Sequence, residues 1–159
     1  MASINWCFKT ANGIRIINPS EAYALAYLRM ADESIRALSD IKESLVWKAA
    51  ASYYIFYYSL YAVMMRIGVK CEIHACSIAF MKRYLMNYYS SEDARIIETA
   101  FTVREDTQYY VDRPINTVQI DAIAVYCLQF CAKTRRILTA LTNQEISSLR
   151  KTLMESREE

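Results

Sequence analysis

The stretch Ala49–Val69, AAASYYIFYYSLYAVMMRIGV, decides the fold class of this chain. It has no charged residue before Arg66, and apolar or tyrosine side chains would cover nearly every face of a helix formed from it. An uncharged run of this length is at the lower limit for crossing a bilayer. Its tyrosines, however, are spread along the run, and a buried phenol group needs a hydrogen-bond partner. We therefore predict a central core helix from about Ser44 to Ile67, ended by Gly68, and no membrane span.

The composition favours a single domain made of a few long helices. The chain has 159 residues, of which 54% are hydrophobic, and this excludes a disordered protein. Only two glycines and two prolines are present, too few for the turns that a β-sheet requires. The formal net charge of +2 is too small to indicate a surface that coats nucleic acid.

The chain before the central helix contains one turn signal and one helix start. Asn12-Gly13 is typical of a turn, so residues 1–18 are predicted to form an irregular lead-in or a small hairpin. Asn18 is a predicted N-cap, followed by Pro19 at the first helical position and by Glu21, which would complete a capping box. The helix that begins there should end near Asp40.

Breaks in the hydrophobic pattern define the elements that follow the central helix. Helices are predicted over 74–89, over 92–108 and from 117 to about 141. We thus expect a helical domain over 19–142. Residues 143–159 are charged and should form a short, exposed helix or tail that frays.

Several kinds of chemistry are excluded by the residue inventory. His74 is the only histidine, and neither a glycine-rich phosphate loop nor a calcium loop is present. The five cysteines are an odd number, and the N-terminus has no export signal. We therefore expect free thiols in a reducing, cytoplasmic compartment, and no metal or cofactor. Cys71, His74 and Cys76 lie too close together in sequence for a typical zinc site.

Arg66 and His74 could together cleave RNA without a metal ion. A neutral imidazole can move the proton of a ribose hydroxyl, and a guanidinium can stabilise the charge that develops on phosphorus. One histidine cannot be base and acid at once, so a two-fold dimer would be needed to bring two together. In the alternative interpretation, Arg66 interacts with a helix C-terminus and His74 only begins the next helix.

A second polar group lies near the end of the predicted 92–108 helix. Arg104 and Tyr109 could bind a phosphate or line a dimer groove, and we add Tyr54 and Lys70 as candidates for the same role. The alternative is a solvated helix end whose tyrosines cover the core.

Three of these features resemble one known family. Ala49–Val69 looks like the central helix of HEPN domains (higher eukaryotes and prokaryotes nucleotide-binding), with its tyrosine pair and terminal glycine. His74 lies where many members have a histidine, and the segment from Arg104 to Tyr109 resembles a later family element. Seven residues separate Arg66 from His74, more than in the family's catalytic motif, and Gln108 replaces the usual aspartate of the later element.

The resemblance implies an all-α, up-and-down bundle of four to five helices with a short extra C-terminal helix. It also implies a homodimer, and for many members a pairing, as in toxin–antitoxin systems, with a small nucleotidyltransferase. Some members are metal-independent ribonucleases, with Arg66 and His74 here in the catalytic positions. Others are non-catalytic, and for these we expect binding of a nucleotide or a protein.

Overall fold

The structure is an all-α bundle, as predicted. It is a computed structural model that describes residues 2–158, with side chains to residue 156. Its helices and strands are α1 (Ile4–Lys9), β1 (Arg15–Ile16), α2 (Glu21–Asp40), α3 (Leu45–Ile67), β2 (Val69–Lys70), α4 (His74–Tyr84), α5 (Ser91–Tyr109), α6 (Thr117–Ala140) and α7 (Asn143–Glu158). None of the described helices is both long and apolar enough to cross a membrane.

Helix α3 is the central helix of the bundle and begins and ends where the sequence predicts. The Ser44 side chain accepts a hydrogen bond from the Trp47 amide, which satisfies one free donor of the first turn. Gly68 ends the helix with a φ of 86°, a conformation that favours glycine, and its amide donates to the carbonyls of Met64 and Met65. Most of α3 between these ends is buried, since it packs against α2, α5 and α6.

Cross-helix contacts give the four long helices an up-and-down arrangement. The Ser20 amide bonds to the carbonyl of Met65, so α2 begins beside the end of α3. Asp93, at the start of α5, is almost fully buried and forms an ion pair with Lys133 in the second half of α6. Burial would raise the pKa of Asp93, but hydrogen bonds from Lys133 and Ser90 more than offset this and lower it.

Two helix ends differ from the sequence prediction. The N-cap of α2 is Ser20 rather than Asn18, because the chain before it is extended and the Ile17 amide bonds to the carbonyl of Gly68. Helix α4 ends at Tyr84 rather than Tyr89. The chain turns there, and Tyr89 is buried with its hydroxyl 2.8 Å from that of Thr134 in α6.

The N-terminal segment is more ordered than predicted. It forms α1 and then β1, which pairs antiparallel with β2 so that Arg15 lies opposite Lys70. A disulfide joins Cys7 in α1 to Cys76 in α4, so the prediction of free thiols is wrong for these two residues. Their sequence separation of 69 residues concealed a pairing that only the fold creates. The other three cysteines are free and buried.

The C-terminal helix α7 is also not the exposed, fraying helix that we expected. Its Ile146 and Leu153 side chains are buried in the core. The Arg150 guanidinium donates hydrogen bonds to the carbonyls of Ile17, Ile67 and Gly68, at 2.8, 2.9 and 3.3 Å. These carbonyls lie at and beside the end of α3, where a helix leaves acceptors without partners. Helix α7 therefore packs as part of the bundle.

Candidate functional site

The candidate site is a group of aromatic and basic side chains between α3, α4 and α5. We call it the His74–Arg104 cluster. It contains six residues: Tyr53, Tyr54 and Tyr57 from α3, His74 from the start of α4, and Phe101 and Arg104 from α5. The one-turn spacing of Tyr53 and Tyr57 places them on one face of α3. Phe101 and Arg104 lie on the facing side of α5 for the same reason.

His74 is held between a stacked ring and a hydrogen bond. Its imidazole stacks on Tyr57 with a centroid distance of 4.1 Å and an angle of 3° between the rings. Its Nδ1 lies 2.6 Å from the hydroxyl oxygen of Tyr53, which is fully buried. Arg104 beside Tyr53 has only donors, so it cannot take the hydroxyl proton. Donation from Tyr53 to Nδ1 would satisfy its buried hydroxyl proton, and the neutral imidazole would then carry its own proton on Nε2.

Burial keeps both partners of this hydrogen bond neutral. Desolvation raises the pKa of Tyr53 far above its usual range, although the positive charge of Arg104 opposes that rise. Desolvation, with a further contribution from Arg104, lowers the pKa of His74 to about 4. The imidazole is therefore uncharged at neutral pH, and its proton-accepting nitrogen is occupied by Tyr53. In this arrangement His74 acts as a hydrogen-bond donor rather than as a base.

Arg104 is a buried cation without an anionic partner. It is 6% exposed, and its Nε has no hydrogen-bond partner among the described residues. Its Nη1 lies 3.5 Å from the side-chain oxygen of Gln108, and none of the ion pairs between described residues includes it. The guanidinium carbon lies 5.0 Å from the ring centre of Tyr53 and 5.5 Å from that of Phe101.

Cation–π contacts offset only part of the desolvation cost of Arg104. Two such contacts contribute on the order of 1–2 kcal/mol each when water is excluded. Removing a guanidinium from water costs several kcal/mol. The arrangement therefore leaves a positive potential that an oxyanion would neutralise, with an Nε2–H donor from His74 in the same cluster. A phosphate group has the charge and the acceptor oxygens that would match these donors.

The chain just before His74 is fixed by residues from two other parts of the molecule. The Cys71 amide donates to the hydroxyl of Tyr61 at 2.8 Å, and the Glu72 amide donates to the carbonyl of Asn12 at 2.9 Å. Burial raises the pKa of Tyr61 to about 12, so this hydroxyl stays neutral. Ile73, the N-cap of α4, provides no side-chain hydrogen bond. The position of His74 thus depends on contacts from outside its own helix.

The structure does not bring Arg66 to His74. Arg66 lies in the last turn of α3, and its Nη2 is 3.4 Å from the side-chain oxygen of Asn143 in α7. Tyr57, which carries the His74 stack, lies nine residues earlier, and nine residues span about 14 Å along a helix. The long loop between Arg66 and His74 returns beside α3 instead of placing the two side chains together. Arg104 is the arginine found with His74.

Of the remaining candidate residues, one lies in the His74–Arg104 cluster and two lie outside it. Tyr54 belongs to the cluster, with its ring edge-on to His74 at 6.2 Å. It also lines an apolar groove of about 540 Å³ between α2 and α3, together with Trp47. Lys70 is exposed and forms an ion pair with Glu72 at 2.9 Å. Tyr109 is 68% exposed at the end of α5, as the alternative of a solvated helix end predicted, but Arg104 is buried and does not fit that alternative.

Three cluster residues were not among the predicted site residues: Tyr53, Tyr57 and Phe101. Their one-turn spacing was visible in the sequence, but tyrosine rows on an apolar helix are typical of a core. Only the close approach of α5 to α3, with Arg104 facing Tyr53, distinguishes this row from the others.

A metal site is not found in the described part of the chain. No group of three His, Cys, Asp or Glu residues there has a suitable arrangement. Of the three residues that we considered and rejected as zinc ligands, Cys76 is oxidised to a disulfide. His74 Nδ1 is bonded to Tyr53, and the Cys71 thiol donates to the carbonyl of Ile73.

Comparisons with protein-family models, with curated proteins and with solved structures find no significant match for this chain.

Proposed function

We propose that this chain is a HEPN-type bundle that binds a phosphate-bearing ligand, a nucleotide or RNA, at the His74–Arg104 cluster without cleaving it. The observation that supports this most strongly is the buried guanidinium of Arg104, which has no carboxylate partner among the described residues. Protein interiors accept such a cation only where something compensates it. A phosphate oxygen at Arg104 would supply that compensation.

The aromatic side chains of the cluster favour a nucleotide over an inorganic anion. Tyr54 connects the charged part of the cluster to the apolar groove between α2 and α3. A base placed against Tyr54 would gain stacking energy of about 1–3 kcal/mol. A nucleotide therefore matches both halves of the site, with its phosphate at Arg104 and its base towards the groove.

Metal-independent RNA cleavage is the second candidate, because the cluster still combines an imidazole with a guanidinium. Cleavage would require His74 to exchange its hydrogen bond with Tyr53 for one with the substrate, and Arg104 to act in place of Arg66. RNA cleavage measured in EDTA by the wild type and by His74→Ala separates the two candidates. Cleavage by the wild type that is lost in the variant would replace the binding proposal with the catalytic one.

Homodimer formation, pairing with a small nucleotidyltransferase and a cytoplasmic location belong to the same proposal. They follow from the resemblance to HEPN domains. Light scattering at micromolar concentration should give the mass of a dimer, and a monomeric mass would contradict that part. Co-purification with the product of a neighbouring nucleotidyltransferase gene would support the pairing.

Ligand binding is best tested by thermal unfolding and calorimetry in EDTA with ATP, AMP and a short RNA. At a ligand concentration of 100 times Kd, binding stabilises the fold by about 2.7 kcal/mol, which raises Tm by several degrees. Arg104→Met should abolish this rise. Arg113→Met is the matched control, because Arg113 also lies over a tyrosine ring, that of Tyr110, but is exposed. Equal binding by Arg104→Met and the wild type would overturn the proposal.

A further inference from the structure

The N-terminal segment is attached to the chain around His74 by backbone, side-chain and covalent links. Its strand β1 pairs with β2, and the carbonyl of Asn12 accepts from the Glu72 amide. The covalent link runs from Cys7 in α1 to Cys76 in the first turn of α4. Cys76 lies only two residues after His74, so this bond fixes the turn that carries the imidazole.

We propose that the Cys7–Cys76 disulfide is a redox-sensitive tether that holds His74 in its ligand-binding position. Opening the bond would release the start of α4 and weaken ligand binding at the His74–Arg104 cluster. The ligand part of this inference rests on the proposed function, whereas the tether itself can be tested without a ligand.

After the bond opens, this region would be held by short elements, by the packing of Ile14 and Phe8, and by an exposed ion pair between Arg15 and Glu72. The β1–β2 ladder has two residues in each strand, and α1 has six. Isolated helices and strand pairs of this length are not stable in water. Helix α4 also begins without a side-chain cap, so its first turn lacks the local support that Ser90 gives α5. The disulfide is thus the strongest link between the N-terminal segment and His74.

The neighbouring turn is built so that the segment packs closely over Cys7. The Ile14 amide bonds to the carbonyl of Cys7 at 2.7 Å. A Cβ atom at Gly13 would lie 2.0 Å from that same carbonyl oxygen, so a larger residue would push the turn away from α1. Gly13→Ala therefore loosens the tether without removing a cysteine.

Opening the bond requires a dithiol reductant and local movement of α1. Cys7 and Cys76 are both fully buried, so a reductant reaches them only when α1 separates from α4. A thiolate of the reductant attacks one sulfur and forms a mixed disulfide, and its second thiol then displaces that cysteine. Two electrons and two protons pass to Cys7 and Cys76, and the reductant leaves as a disulfide.

Hydrogen exchange read by mass spectrometry tests the tether directly. The oxidised wild type is compared with the protein held in dithiothreitol and with Cys7→Ala/Cys76→Ala. We expect amides of residues 69–77 to exchange at least tenfold faster in the last two, through local opening under native conditions, and to lose protection at a lower denaturant concentration than amides in the middle of α6, which follow global unfolding. Gly13→Ala should accelerate the same amides in the oxidised protein. Cys131→Ala is the control for loss of a buried cysteine elsewhere, and it should leave residues 69–77 protected.

Ligand affinity measured on the same samples separates this inference from the proposed function. We expect about tenfold weaker nucleotide binding after reduction. Unchanged exchange over 69–77, or a mass that shows five free thiols rather than three in the air-oxidised protein, would overturn the tether. Faster exchange over 69–77 with unchanged nucleotide affinity would show that the disulfide does not control ligand binding at the His74–Arg104 cluster. Faster exchange with no binding in either state would support the tether and contradict the proposed function.

Discussion

Two arginines reach α3 from other helices, one in each half of its length, and they differ in how their donors are used. Arg150 approaches the C-terminal end and donates to three backbone carbonyls. Arg104 lies against Tyr53 in the first half, where its Nε has no partner and no carboxylate pairs with it among the described residues. The comparison teaches that a cation whose donors are used, like the half-buried Arg150, belongs to the fold, whereas a buried cation with an unused donor, like Arg104, marks a place where a ligand can bind.

The largest loss of stability is expected from Gly68→Ala, at the end of α3 where Arg150 donates to the backbone carbonyls. The φ of 86° is unfavourable for alanine, and its Cβ would lie 2.3 Å from Nη1 of Arg150 and 2.5 Å from the carbonyl oxygen of Ile17. We expect a loss of about 3 kcal/mol in the free energy of unfolding, measured by urea denaturation. A loss below about 1 kcal/mol would show that the contacts of Arg150 are not tightly fixed.

Arg150→Met should destabilise the protein by about 2 kcal/mol in the same assay. The substitution keeps the aliphatic packing but leaves the carbonyls of Ile17, Ile67 and Gly68 without this donor. Lys151→Met is the matched control, since its side chain is exposed and should change stability by less than about 0.5 kcal/mol. If the two substitutions lowered the free energy of unfolding equally, the hydrogen bonds of Arg150 would not contribute to stability as proposed.

At the cluster, stability should depend on pH between about 4 and 6.5. The folded pKa of His74 is about 4, below the unfolded value of about 6.5, so the unfolded chain binds the proton first as pH falls. The stabilising effect of the neutral imidazole is complete above pH 6.5 and is lost on acidification towards pH 4. With allowance for partial solvent exposure we expect about 1–2 kcal/mol. His74→Phe, compared by urea denaturation at several pH values, should lack this component of the pH dependence.

The smallest effect on stability, and the sharpest test of the comparison, is expected from Arg104→Met. Replacing an unpaired buried cation with an apolar side chain removes a desolvation cost but also removes cation–π contacts. Without ligand the variant should therefore lie within about 1 kcal/mol of the wild type, or be more stable. A loss of 2 kcal/mol or more by urea denaturation would assign Arg104 to the fold, like Arg150.

The sequence alone predicts the parts of the fold that depend on residues close together in the chain. The uncharged run in α3, Ser44 before it and Gly68 after it act within a few residues, so the bounds of this helix could be predicted. Arg104, Tyr54 and His74 could be named as candidates from residue type and family resemblance. What could not be predicted depends on long-range packing: the pairing of Cys7 with Cys76, the burial of α7, and the choice of Arg104 rather than Arg66 as the neighbour of His74. No local pattern encodes these contacts.

The disulfide also has a consequence for the unfolded chain. A bond across a sequence separation of 69 residues closes a covalent ring that contains α2 and α3, nearly half of the polypeptide. Chain-entropy models assign about 4 kcal/mol to closing a ring of this size in the denatured ensemble. The oxidised denatured chain should therefore be more compact than the reduced one, migrate faster on a non-reducing denaturing gel and give a smaller urea m-value.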